Sequence, residues 1–177
     1  MSYNSSKERG PNNRSYCRGE PLLSWPKHAN GTQTTAAKIH IANREHYTSQ
    51  FKVLVVGLGQ LGLPVAKYVN ERGFDTYGYD ISSKAVEMAK TAAIKKAVNF
   101  SEFDVFILCI STHILDDMFS PQIDGLLSVA EKISKEAESS ALISIESTIP
   151  KGTSKKVFDL LNHRMHVVHA PHRWYSL

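Results

Sequence analysis

From Phe51 onward two kinds of apolar pattern alternate along the chain. Lys52–Val56 (KVLVV) is a continuous β-branched run, as expected of a central parallel strand buried on both faces. Residues 60–72 follow with helical character and stop at Gly73, a residue suited to a helix C-terminus. Residues 76–79 predict a second strand, and Ser82 caps a helix over 83–91. A third strand is expected within 103–110 (FDVFILCI) and a helix over 121–137. In that helix Ile123, Leu126, Leu127, Ala130 and Ile133 form one stripe at helical spacing. Residues 141–145 predict a fourth strand. Residues 151–162 predict a helix that turns Val157, Leu160 and Leu161 inward, and 165–169 a fifth strand. Strands alternating with helices of this length imply a parallel sheet covered on both faces.

Residues 1–50 have no such order. They are rich in Ser, Asn, Arg, Gly and Thr, and turn signals such as Asn30-Gly31 have no strands around them. The composition predicts a flexible extension ahead of one domain spanning 51–177. A docking arm is the alternative, with Leu22, Leu23 and Trp25 packing on the domain or a partner. The charge divides at the same place. The extension holds 7 Lys/Arg against 3 Asp/Glu and the remainder 14 against 14, so the net +4 belongs to the extension. The domain therefore offers no basic face for nucleic acid. Cys17 lies in the extension. Cys109 lies in the apolar run of the third strand and reads as a small buried hydrophobe, with no pairing or metal motif. The N-terminus has no signal-like apolar core and no run approaches a membrane span, so a cytoplasmic protein without a membrane partner is expected.

The chemistry sits after the first strand. Gly57-Leu58-Gly59-Gln60-Leu61-Gly62 follows KVLVV directly and opens a helix. Gly57 permits a tight turn, Gly59 lets a pyrophosphate approach the backbone, and Gly62 lets helix and strand pack closely. The free N–H groups at the helix start, at its positive end, face the phosphates. Asp80 closes the second strand, where a carboxylate accepts from the adenosine ribose hydroxyls and repels a 2′-phosphate. This is the pattern of a Rossmann-type doubly wound α/β fold, a parallel sheet with helices on both faces, binding NAD. Ser82, Ser83 and Lys84 keep NADP open as the alternative.

Four segments then resemble the N-terminal NAD-binding domain of the UDP-glucose/GDP-mannose dehydrogenase family. Val56 through Pro64 resembles its GLGxVGLP opening, and Cys109-Ile110-Ser111-Thr112 its turn after a strand. Glu146-Ser147-Thr148-Ile149-Pro150-Lys151-Gly152-Thr153 resembles its E-S-T-V-P-P-G-T segment, and Ala170-Pro171-His172-Arg173 its Pro-Glu-Arg turn. The resemblance implies that Ser111, Thr112, Ser147 and Thr148 contact the cofactor. It also places Thr112 and Glu146 beside the reacting centre, Glu146 near the nicotinamide and a catalytic water. From the residues alone, Glu146 reads equally as a helix cap and Thr112 as a loop hydroxyl serving local backbone. Departures stand beside the matches: Ser111 and His113 replace two prolines, His172 replaces the Glu, and the segment between the second and third strands is short.

The family oxidises a sugar alcohol to the acid through a thiohemiacetal on a cysteine. The resemblance places that cysteine, with its Lys, Asn and Asp, downstream of the segment matched here. The implied function is the NAD-binding part of a nucleotide-sugar 6-dehydrogenase, with a nucleotide sugar as substrate, a partner chain completing the chemistry, and a homo-oligomer expected. Two alternatives remain: a non-catalytic NAD-binding or regulatory module, and a small dehydrogenase of another substrate. His163, His166, His169 and His172 recur at every third position, but a strand over 165–169 turns His166 and His169 to opposite faces, so no metal site is expected.

Overall fold

The computed structural model of the protein describes residues 50–113, 117 and 120–171. The predicted extension, with Cys17, Leu22, Leu23 and Trp25, lies outside them, as do His172 and Arg173.

Six strands form one parallel sheet: β1 (Lys52–Val56), β2 (Asp75–Tyr79), β3 (Lys95–Lys96), β4 (Val105–Leu108), β5 (Leu142–Ile145) and β6 (His166–His169). Their spatial order is β3-β2-β1-β4-β5-β6. Four helices connect them: α1 (Gly62–Glu71), α2 (Ser83–Thr91), α3 (Asp124–Glu136) and α4 (Thr153–Leu160). Val53 pairs with Thr76 on one side and with Val105 on the other, so β1 is central. The unbroken KVLVV run follows from that position. Leu54 and Val56 join one buried cluster, with Phe106, Leu108, Ile143 and Ile145 against α3 and α4. Val55 points the other way, into a smaller cluster with Ala66, Val86, Ala89 and Ile94 against α1 and α2. The doubly wound α/β architecture is as the pattern predicts. Connections leave β1 and β4 in opposite directions, which opens a crevice at the carboxyl ends of these two strands.

Element ends differ from the predicted ones for local reasons. Gly73, at φ +86°, follows the C-cap Arg72 and donates to Asn70 O at 3.0 Å. Ser82 Oγ accepts from Ala85 N, so α2 is capped as expected. Helix α4 closes at Leu161 because Asn162 and His163 both adopt positive φ. Two features had no strong pattern. Strand β3 is two exposed lysines on a sheet edge. The crossover from β3 back to β4 contains no helix, and aromatic rings cover that part of the sheet. Phe100 is fully buried, edge-on to Tyr79 at 5.0 Å, while Phe103 meets Tyr77 at 5.2 Å. Glu136 of α3 accepts the Phe100 N–H at 3.0 Å, and Lys132 Nζ lies 4.4 Å from the Phe100 ring centre. The strand lies within the expected run 103–110, and Phe103, the first residue of that run, belongs to this crossover.

Candidate functional site

The turn between β1 and α1 occupies the crevice. Gly57 takes φ +89°, and a Cβ there would stand 2.5 Å from the Cys109 carbonyl oxygen. Its N–H donates to Tyr79 O at 2.9 Å, which ties the turn to the end of β2. At Gly62 a Cβ would overlap the Gly57 carbonyl and stand 3.1 Å from Cys109 Cβ, so α1 packs against its own turn and the end of β4. Gly59 differs from both: a Cβ there meets no protein atom within 4 Å. Gly57 and Gly62 are thus glycines because protein is close, whereas Gly59 opens onto free space. Helix α1 has no side-chain cap and no acidic residue in its first turn, so its positive end is not neutralised.

Asp80 stands across the turn. Oδ2 accepts from Leu58 N at 2.6 Å and Oδ1 from Ser82 N at 2.7 Å. Two backbone N–H groups therefore orient the carboxylate, and each oxygen retains acceptor capacity. Leu58 itself is buried against Gly78 beneath the turn and offers the site only backbone.

On the other side the turns after β4 and β5 hold each other. Thr112 Oγ1 donates to Thr148 O at 2.7 Å, and Ser147 Oγ to Ile110 O at 2.6 Å. Ser147 is buried and spends its hydroxyl hydrogen on this clasp, as Thr112 does. Thr112 does serve backbone, but on another strand's turn. Glu146 continues the ladder through its N–H to Leu108 O at 3.0 Å, and its carboxylate accepts from Ser144 Oγ at 2.7 Å. It does not cap the next helix, whose N-cap is Gly152.

These parts enclose one cleft of about 770 Å³, within the size range of small-molecule sites. Gly57, Gly59, Gln60, Leu61, Asp80, Ser111, Thr112, Glu146, Ser147 and Thr148 all line it, whereas Leu58 and Gly62 lie beneath. Residues to which the sequence assigned no role in the site also line it: Tyr79, Ile81, Ile110, His113, and Gly125 and Val129 on α3. Gly125 and Val129 flank the apolar stripe of that helix rather than belonging to it. Ile81, nearly fully exposed beside Asp80, was legible only as an apolar residue out of register.

Cys109 departs from expectation. It stands one residue beyond β4 and lines the cleft, rather than lying inside the strand. Burial first, then the Glu146 carboxylate, push its thiol up to about 12. It is therefore a protonated thiol at neutral pH and not a nucleophile. Among the described residues no His, Cys, Asp and Glu cluster could hold a metal ion, and no helix is long and apolar enough to cross a membrane. His163 stacks on Phe158 and meets Asp159 at 3.0 Å, whereas His169 meets the Ser147 carbonyl at 3.1 Å.

Residues 88–174 match the NAD binding domain of the UDP-glucose/GDP-mannose dehydrogenase family. That match starts inside α2, beyond the glycine turn and Asp80. The chain is 32% identical over 145 residues to a UDP-N-acetyl-D-mannosamine dehydrogenase of Methanococcus maripaludis, covering 69% of this chain and 34% of that protein. A relative of the same name from Methanocaldococcus jannaschii is 32% identical over 146 residues. The structure resembles the UDP-D-ManNAc dehydrogenase of Pyrococcus horikoshii at TM-score 0.59 and 27% identity, over 70% of this chain and 37% of the other. The chain thus spans about a third of the length of these relatives.

Proposed function

We propose that the chain is a member of the UDP-glucose/GDP-mannose dehydrogenase family, whose NAD binding domain residues 88–174 match, and that it serves as the cofactor-holding part of a nucleotide-sugar dehydrogenase. The observation that carries this is the open space before Gly59, set between the uncapped start of α1 and the oriented Asp80 carboxylate. The residues fit the cofactor. The backbone at Gly59 and the α1 N-terminus receive a pyrophosphate, and Asp80 accepts from ribose hydroxyls while its charge opposes a 2′-phosphate. NAD, when bound, supplies a hydride acceptor. Thr112 and Glu146, on the turns after β4 and β5, flank the reacting end of the cleft. Ser111 and Thr148 contact the cofactor beside them, while Ser147 shapes the turn.

The substrate proposed is a nucleotide sugar, of the kind named for the relatives: UDP-N-acetyl-D-mannosamine. Acid formation through a covalent thioester requires a thiolate, which Cys109 does not provide. That step needs a thiol outside the described residues, and a non-catalytic NAD-binding module is the second reading. Calorimetric titration with NAD and NADP, followed by an NADH-formation assay with UDP-N-acetyl-D-mannosamine, tests both. NAD binding stronger than NADP binding is expected. NADH production, by the chain alone or with a partner chain that supplies the thiol, supports the dehydrogenase, binding without turnover in both cases supports the module, and absence of NAD binding overturns the proposal.

A further inference from the structure

We propose that His169, which does not itself line the cleft, is a positioning residue that sets Thr148 for cofactor binding through the Ser147 carbonyl. The inference rests on the NAD-binding reading of the cleft. His169 is the last residue of β6 and pairs in register with Ile145, the last of β5. Its Nε2 lies 3.1 Å from Ser147 O. A carbonyl only accepts, so the imidazole must carry its proton on Nε2.

The consequence comes from the next peptide. Ser147 O is held from β6 by His169, while Thr148 O is held from the β4 side by Thr112 Oγ1 at 2.7 Å. Two successive carbonyls are thus gripped from neighbours on opposite sides. Because each peptide unit is planar, the two grips leave little freedom in the φ and ψ of Thr148 between them. Ser147 Oγ, donating to Ile110 O, pins the start of the same turn. Thr148 is exposed and lines the cleft, so its direction is what the clasp determines. The ladder bond from Ala170 N to Ile145 O, at 3.0 Å, keeps β6 in register at the level where His169 acts.

The test compares His169→Ala with His169→Gln, whose amide can still donate to the carbonyl. NAD affinity is measured by calorimetry, and thermal unfolding without cofactor checks the fold. Loss of one hydrogen bond that orients the turn predicts NAD binding weakened about two- to tenfold in His169→Ala. Gln is expected to restore it to within about twofold. Unchanged binding in His169→Ala, or equal loss in both variants, overturns the proposal. A second measurement needs no variant. Long-range nitrogen–proton correlation NMR of the wild-type chain, taken above the ordinary histidine titration range, is expected to place the His169 proton on Nε2, and a proton on Nδ1 overturns the proposal. If the wild-type chain fails to bind NAD, the cofactor reading falls instead, and the tautomer still reports on the hydrogen bond alone.

Discussion

Replacing each of the three turn glycines by alanine separates what holds the fold from what admits the cofactor. At Gly59 no protein atom lies within 4 Å of the new methyl group and φ is not left-handed. The apo protein should tolerate the change, and the stiffer unfolded chain should stabilise it by about 0.4–1 kcal/mol. Yet the methyl fills the space in which a pyrophosphate would approach the backbone, so NAD binding should weaken about tenfold or more, at least about 1.4 kcal/mol. At Gly57 the φ of +89° costs roughly 1–3 kcal/mol for alanine. The contact at 2.5 Å is with the Cys109 backbone, which cannot rotate away, and adds roughly 1–3 kcal/mol of overpacking. Gly62→Ala is worse, since its methyl overlaps the Gly57 carbonyl outright and something in the backbone must shift. Against a domain stability of about 5–15 kcal/mol, Gly57→Ala should lower the melting point markedly and Gly62→Ala should prevent stable folding. Thermal melts of the three variants, with and without NAD, and calorimetry on the folded ones read both effects. The reasoning fails if Gly59→Ala binds NAD as wild type does, or if it melts well below wild type.

Other substitutions probe the surrounding parts. Asp80→Asn removes the charge proposed to face the ribose, so NAD affinity should fall by about 1–3 kcal/mol and the preference over NADP should shrink, as paired titrations would reveal. With Cys17 replaced by serine, Cys109 at pH 8 should alkylate about thirty- to sixtyfold more slowly than a free thiol. Its thiolate population is about a thousandfold lower, and the greater nucleophilicity of a more basic thiolate recovers only part of that. Reaction within a few-fold of free thiol would contradict the buried, protonated state. Glu136→Ala leaves the Phe100 N–H without its acceptor and should cost about 1–3 kcal/mol in denaturant melts. Asp159 is held below the usual carboxylate range by Lys155 first and then His163. Its depressed pKa means that the contribution is present above the ordinary carboxyl range and lost as pH falls through the lowered value. The melting-point difference between wild type and Asp159→Asn should therefore shrink toward zero in acid.

What the sequence carried was what repeats along it or needs a special backbone. KVLVV announced a strand covered on both faces, and the glycines with Asp80 announced the crevice, because strand burial and positive φ restrict residue type strongly. Strand β3 escaped because two edge lysines bury almost nothing and leave no alternation to read. The crossover of rings escaped for another reason. Phe100 and Phe103 are apolar without a period, and only the tertiary fold brings them onto Tyr79 and Tyr77. Within the site, motif logic picked out Ser147 and Thr112, which line the cleft, but not what their hydroxyls do. The partners of those hydroxyls, Ile110 and Thr148, are distant in sequence, and a hydroxyl's choice of acceptor is settled by turns meeting across the sheet. The position of Cys109 turned on a single residue at a strand end, the least legible quantity in an apolar run.

The pairing of β1 with β4 has a bearing on how the chain acquires its structure. Val53 must find Val105 across the whole β1-α1-β2-α2-β3 segment, whereas β1 and β2 are joined by one helix. Closing that long loop is the entropically expensive event, and parallel pairings of this span are slow to form. The crevice exists only once it has closed, since the Gly57 turn rests on the Cys109 carbonyl at the end of β4. Cofactor competence therefore cannot precede that closure. A ligand that recognises only the closed form draws the equilibrium toward it by mass action, so NAD present during refolding acts as a thermodynamic latch on the finished sheet.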